Sequence, residues 1–248
     1  MIDYAVIGAG PTGLTTAVEL ARLGARVRIF DKKDGPSALS RAVGVTPHSI
    51  ELLTPCGAGP AIQTEAVRFE GLVMHRGKDE ILHLPLNFDD DSSLYGLPQD
   101  RTEAHLIEAL KRYGVEVEYM RPLTNFHVRA DHIALDFGQH VKVDTRYLIG
   151  ADGVHSRVRA TAGIHFEGHS LPGHWSIADV ISASWPHRDQ FAAYLLPHGE
   201  VAVVVPMAPD RYRVVSSLPE ALASLPVTLE VDKVMRESSF VIEVKQAE

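Results

Sequence analysis

Cysteine is almost absent from this chain: Cys56 stands alone among 248 residues. One thiol excludes an intrachain disulfide and fits a reducing compartment, so a cytoplasmic location is expected. Its setting, TPCG near the expected end of a short helix, favours a small buried side chain over a covalent attachment point. Long apolar runs are also missing, and none approaches the roughly 18 residues of a membrane span. The first apolar stretch begins so close to Met1 that no signal peptide is expected before it. Blocks of basic residues are missing too. With 24 Lys and Arg against 32 Asp and Glu, the net charge of −8 speaks against a general nucleic-acid binder. Internal repeats, low-complexity tracts and a G-x-S-x-G hydrolase elbow are not found. Of the histidines, His165, His169 and His174 come closest together, in HFEGHSLPGH. The glycines and proline between them break any helix that would align them, so no metal site is expected.

What the chain has is glycine in a particular place. Residues 4–13 read YAVIGAGPTG, with Gly8, Gly10 and Gly13 spaced G-x-G-x-x-G and Pro11 and Thr12 between them. An apolar run leads in and an amphipathic stretch, TGLTTAVELARLG, leads out, which predicts strand, tight turn and helix. Gly8 allows the turn, Gly10 lets phosphates approach the main chain, and Gly13 lets helix and strand pack closely. Unpaired amides at the helix start then favour an anion. A second strand, ARVRIF, ends at Asp31, 18 positions after Gly13. That is close to the roughly 20 expected for an acid that binds a ribose. A dinucleotide site is expected, and the spacing suits NAD(P) and FAD equally.

Further along, residues 32–44 read as a loop, and HSIELLTPCG as a short helix ended by Gly57. AVRFEGLVMH and EILHLPL predict two strands around a GKDE turn. RTEAHLIEALKRYG has helical spacing and a stop at Gly114. VEVEYM, NFHVRA, HIALDF and HVKVD predict a β-meander. YLIGADG, apolar on both faces, predicts a central buried strand, and HSRVRATAG a short helix. From Trp175 the chain turns mostly β, and its last segment carries one weak helical pattern before a strand. Trp175, Trp185, Phe191 and Tyr194 are expected as sheet core or as the wall of an apolar pocket. A nucleotide-binding α/β part therefore comes first and a mainly antiparallel part later, with the hairpin near 66–84 expected in the second sheet.

Residues 150–159, GADGVHSRVR, follow an apolar strand and precede a helix. With GAGPTG and Asp31, SRAVGVTPHSIELL at 40–53, LPQDRTEAHL at 97–106 and the hairpin LPHGEVAVVVPMAPDRYRVVSS, they resemble the FAD-dependent aromatic hydroxylases of the para-hydroxybenzoate hydroxylase type. The resemblance spans essentially the whole chain. It implies an α/β fold: a Rossmann-like FAD-binding domain of the glutathione-reductase type with an inserted, mainly antiparallel β substrate domain. The expected division is 1–65 with 98–172 for FAD and 66–97 with 173–248 for substrate. It implies FAD as cofactor, NAD(P)H as a transient co-substrate, and O2-dependent hydroxylation of a phenolic or polycyclic aromatic compound. It implies that Asp31 holds the adenosine ribose, Lys32 covers the adenine, Arg41 folds over the flavin edge and Gln99 bonds the ribityl chain or ring. The Asp152–Gly153 motif would serve flavin and pyridine nucleotide, with Arg159 neutralising Asp152 or the phosphates. No acid–base catalyst is implied.

The chain departs from that family in having His48 and His155 where arginine and a small or basic residue are expected. No second flavin motif, G-D-x-x-H, follows FVIEVKQAE. The expectation is therefore a fragment, a natural truncation or a chain completed by a further segment or subunit, holding FAD weakly on its own. A homodimer is left open. Two rivals stand beside the hydroxylase. One is a flavin- or ligand-binding module without turnover. The other is a related flavoenzyme such as a halogenase or prenyl reductase; the halogenase's W-x-W-x-I-P-type motif is not seen.

Overall fold

The computed structural model describes residues 1–37, 42–86, 93–138 and 141–248. Among them, two large sheets carry the architecture. The first has six strands in the order 117–118, 27–30, 2–7, 142–150, 133–136 and 125–128. Ile2–Ile7 lies at its centre, parallel to Val27–Phe30 on one side and to Lys142–Gly150 on the other. Val117–Glu118 adds to the outer edge, also in parallel. VEVEYM is thus not part of the meander, as the sequence suggested. Its Val117 lies across from Ile29 because the helix Gln99–Arg112 forms the crossover that returns the chain in the same direction. The remaining three segments do form the antiparallel meander.

HVKVD and YLIG, expected as separate strands, join as Lys142–Gly150. That strand is interior in the sheet but not buried as expected: Leu148 and Ile149 are half-buried and Tyr147 is 53% exposed. The short helix Arg157–Ala162 is too small to cover it.

The helices Pro11–Arg22 and Gln99–Arg112 lie together on one face of this sheet. Leu14, Ala17, Val18, Leu106, Ala109 and Leu110 form the shared core with Val6 and Ile29. Between them comes a surprise. Gly57 does not only end the helix Pro47–Leu53 and its following turn. In the left-handed region (φ 80°), it also caps a further helix, Ala58–Glu65. Cys56 is buried at this junction, its thiol donating to the Leu53 carbonyl, and burial pushes the thiol's pKa up. That is the small buried residue expected from the sequence.

The second sheet has seven strands, in the order 233–240, 175–181, 211–216, 201–208, 190–195, 71–76 and 79–85. The hairpin 71–85 belongs to it as expected, joined by parallel pairing of Gly71–Arg76 with Gln190–Leu195. Val67–Arg68 instead pairs in a small sheet with Tyr95–Gly96 and Gly44–Val45, which ties the two large sheets together. One face of the seven-stranded sheet buries Ala178, Val180, Tyr194, Val204, Tyr212 and Val214. Leu222, Leu225, Val227, Leu229 and Val231 cover that face from a segment with no helix. The weak helical pattern there is overridden because the chain crosses the sheet in turns, with Pro226 interrupting it. The last strand, Glu243–Ala247, pairs with Phe166–Ser170.

Candidate functional site

The glycine turn is built as its spacing requires. Gly8 has φ 103°, and a Cβ there would strike the Ala151 carbonyl and come within 2.9 Å of the Asp152 Cα. A Cβ on Gly13 would land on the Gly8 carbonyl oxygen. Gly10 is different: its φ is −83°, and a Cβ there meets nothing within 4 Å. Gly10 caps the helix Pro11–Arg22 with no side-chain hydrogen bond, and Pro11 takes the first helical position, where its missing N–H costs nothing. The amides of Thr12 and Gly13 have no acceptor in the helical ladder. Open space in front of outward-facing amides at a positive helix end fits the pyrophosphate of a dinucleotide.

Asp31 supports this turn from below. It is 6% exposed; one carboxylate oxygen accepts from the Ala9 amide at 2.6 Å, the other from the Lys33 amide at 2.9 Å. Each oxygen retains a further lone pair. Lys32 is exposed beside it. Arg41 lies outside the described residues.

Gln99 opens the helix Gln99–Arg112. Its Oε1 accepts from the Ala42 amide at 3.2 Å, and its Nε2 donates to Glu103 Oε1 at 2.8 Å. It lines a cavity of about 240 Å³ with Pro11, Thr15, Val43, Gly44, Leu97 and Thr102. The start of the first helix and the start of this one therefore face a single pocket. Glu103 was not singled out from the sequence. The signal was present: residues 99 and 103 are i and i+4 on one helix, hence neighbours on one face.

Asp152 is drawn against the glycine turn by the pairing of Ile7 with Gly150. Its carboxylate is spent on the protein. It accepts from the Ser156 hydroxyl at 2.5 Å, the Arg157 amide at 2.6 Å and the Val158 amide at 3.2 Å, and so caps the helix Arg157–Ala162. Arg159 does not neutralise it. The guanidinium donates to the Val154 carbonyl at 2.8 Å and lies 4.0 Å over the Phe166 ring. Backbone carbonyls and an aromatic face satisfy the cation, while Asp152 accepts from Ser156, Arg157 and Val158 instead. Gly153, at φ 81°, leaves open space where a Cβ would be.

A second cavity, about 330 Å³, lies on the other face of the seven-stranded sheet. Phe69, Ile177, Phe191, Val203, Val205, Val215 and Phe240 line it, and Val43 and Gly44 form a wall common to both cavities. Phe191 thus faces a pocket, whereas Trp185 and Tyr194 are core on the opposite face. At one end sits a group the sequence reading missed. Arg213 forms a bidentate pair with Asp179, at 2.6 and 2.7 Å, each residue 2% exposed. Register places Asp179 between Arg213 and Arg236 on adjacent strands. Alternation marks these as one-face positions, but nothing local marks that face as buried. Among the described residues no three His, Cys, Asp or Glu side chains gather as a metal site.

A family model described as an FAD binding domain matches residues 1–232. The chain belongs to this FAD-binding family. Among its relatives is a 6-methylpretetramide 4-monooxygenase of Streptomyces rimosus, 30% identical over 86% of this chain and 39% of its own length. Another is a 12-dehydrotetracycline 5-monooxygenase/anhydrotetracycline 6-monooxygenase of the same species, 32% identical over 92% of this chain and 48% of its own. The chain thus spans less than half the length of either. A p-nitrophenol 4-monooxygenase of Pseudomonas putida shares the fold, with a TM-score of 0.85 at 20% identity, over 100% of this chain and 69% of that one. No helix among the described residues is long and apolar enough to cross a membrane.

Proposed function

We propose that this chain carries the FAD site and part of the substrate site of a monooxygenase that hydroxylates a phenolic or polycyclic aromatic compound with NAD(P)H and O2. One observation carries the reading. A cavity under two helix starts, with Gln99 and Thr15 on its wall, and a phenylalanine-lined cavity share the Val43–Gly44 wall. A redox cofactor in the first would reach an aromatic ring in the second. The relatives named for tetracycline-type substrates support a polycyclic ring over a small one.

In this reading residues 1–65 with 98–172 form the FAD part and 66–97 with 173–248 the substrate part. The amides after Gly10 hold the pyrophosphate, Asp31 accepts from the adenosine ribose, exposed Lys32 covers the adenine and Gln99 meets the ribityl chain. The Asp-Gly motif acts through its main chain: Asp152 fixes the turn, and Gly153 presents open backbone to the ligand. Bound FAD supplies the redox chemistry; the side chains around it bind, orient and exclude water. The apolar wall orients the ring and keeps solvent from the reacting carbon. NAD(P)H binds transiently.

The test is a fluorescence titration of the purified chain with FAD, followed by NAD(P)H oxidation in the presence of polycyclic phenols. Saturable binding at one FAD per chain, with oxidation accelerated by the phenol and one oxygen atom from O2 in the product, is the expected result. A folded chain that binds flavin and accelerates nothing points to the binding module. A folded chain that binds no flavin overturns the proposal.

A further inference from the structure

The Val43–Gly44 wall is paired through its backbone with residues 95–97, and at Ala42, just before it, a side-chain relay runs through Gln99 to a buried acid. The Ala42 main-chain N–H can only donate, so the atom of Gln99 that meets it must be Oε1. That choice turns Nε2 toward Glu103, 2.8 Å away, where an ionised carboxylate can only accept. An ionised Glu103, having no proton to donate, therefore admits only this orientation of the Gln99 amide. A protonated Glu103 could instead donate to Oε1, turning the amide over and setting Nε2 against the Ala42 N–H, donor against donor.

We infer that Glu103 is a positioning residue for the proposed flavin pocket: as a carboxylate it orients the Gln99 amide that lines the pocket and meets the Ala42 N–H beside the wall shared by both cavities. The inference rests on the flavin reading of that pocket.

Glu103 is 2% exposed. Burial raises its pKa above the ordinary glutamate value near 4.5; the Gln99 bond and Lys33 pull it back, and Asp100 and Asp31 push it up again. Tyr119 also faces it. A raised folded pKa means that the fold favours the protonated acid. Stability from that source is present at low pH and lost as pH rises through the folded pKa. The carboxylate is therefore kept at neutral pH at a cost to stability, which suits a positioning role better than a structural one.

The experiment compares the chain with Glu103→Gln and Glu103→Leu. In NMR titrations without ligand, the Ala42 amide and the Gln99 side-chain amide should shift together as pH falls toward 4.5, and neither should do so in Glu103→Gln. FAD affinity of the unaltered chain should fall over the same range. Glu103→Leu should bind FAD about five- to tenfold more weakly at neutral pH, the loss of one charge-assisted bond, with a flat pH profile. Glu103→Gln should melt at the same or a higher temperature at pH 7, where a purely structural residue would lose stability. Should Glu103→Leu not fold, Glu103→Gln and the NMR titration still decide. Ala42 and Gln99 signals that ignore pH, or titrate identically in Glu103→Gln, overturn the inference while leaving flavin binding intact. Absence of FAD binding by the unaltered chain at every pH overturns both.

Discussion

Two helices follow strands whose ends, Ile7 and Gly150, are paired; they begin after Gly10 and after Ser156, and they treat their free amides in opposite ways. The 12-residue helix Pro11–Arg22 has no side-chain cap, and its first-turn amides face open space. The six-residue helix Arg157–Ala162 is capped twice, by Ser156 on the Arg159 amide and by Asp152 on the amides of Arg157 and Val158. A helix start that the protein has already satisfied has little left for a ligand. One left bare by a glycine and a proline offers donors and a positive end. Under the proposed function, the contrast separates amides left for a ligand from amides spent on the fold.

The contrast can be broken most severely at Gly13. Gly13→Val would drive its side chain into the Gly8 carbonyl, costing about 3 kcal/mol or more of stability and abolishing flavin binding; thermal melts and an FAD titration measure both. Next comes Asp31→Ala, which strands the Ala9 and Lys33 amides. A loss of about 2–3 kcal/mol is expected, seen as a lower urea midpoint with an unchanged m value. Asp152→Ala should cost less, about 1–2 kcal/mol for a lost cap, with faster hydrogen exchange confined to residues 157–162. An effect as large as that of Asp31→Ala would mean the capped helix start is more than a local device. The finest probe is Gly10→Ala. The backbone there suits alanine and the Cβ meets no neighbour, so stability should stay within about 0.5 kcal/mol. FAD affinity should nevertheless drop about tenfold, or about 1.4 kcal/mol, because that space is where the phosphates approach. Unchanged affinity would count against a pyrophosphate at this turn.

The glycine turn, the strand ending at Asp31 and the short helix in HSRVRATAG were legible because each is encoded within a few residues of chain, where backbone geometry leaves few choices. Gln99 was named through the resemblance, but its partner Glu103 was not, although helical spacing alone sets them side by side. The helix Ala58–Glu65 was lost because Gly57 read as a stop, and a left-handed glycine can also serve as a start. The pair Asp179–Arg213 was beyond reach. Its strands are brought together by register between segments 34 residues apart, and only the packed sheet shows that both charges are buried. The exposure of Tyr147 was hidden for the same reason: apolar composition suggests burial, but which neighbour covers a strand is a property of the assembled fold.

The parallel pairing of Gly71–Arg76 with Gln190–Leu195 has a consequence for how the chain acquires its shape. The strands of the two large sheets alternate along the sequence, so neither sheet is made from one continuous stretch. During synthesis the hairpin 71–85 emerges well before its partner and must wait, edge exposed, while the whole six-stranded sheet assembles around it. Such long-range closure is slow and leaves sticky strand edges open to other chains. The first cavity is lined by residues 11–106 alone, whereas the second waits for Phe191 and the strands after it, and the interval before Gln190–Leu195 arrives leaves the hairpin edge open to aggregation.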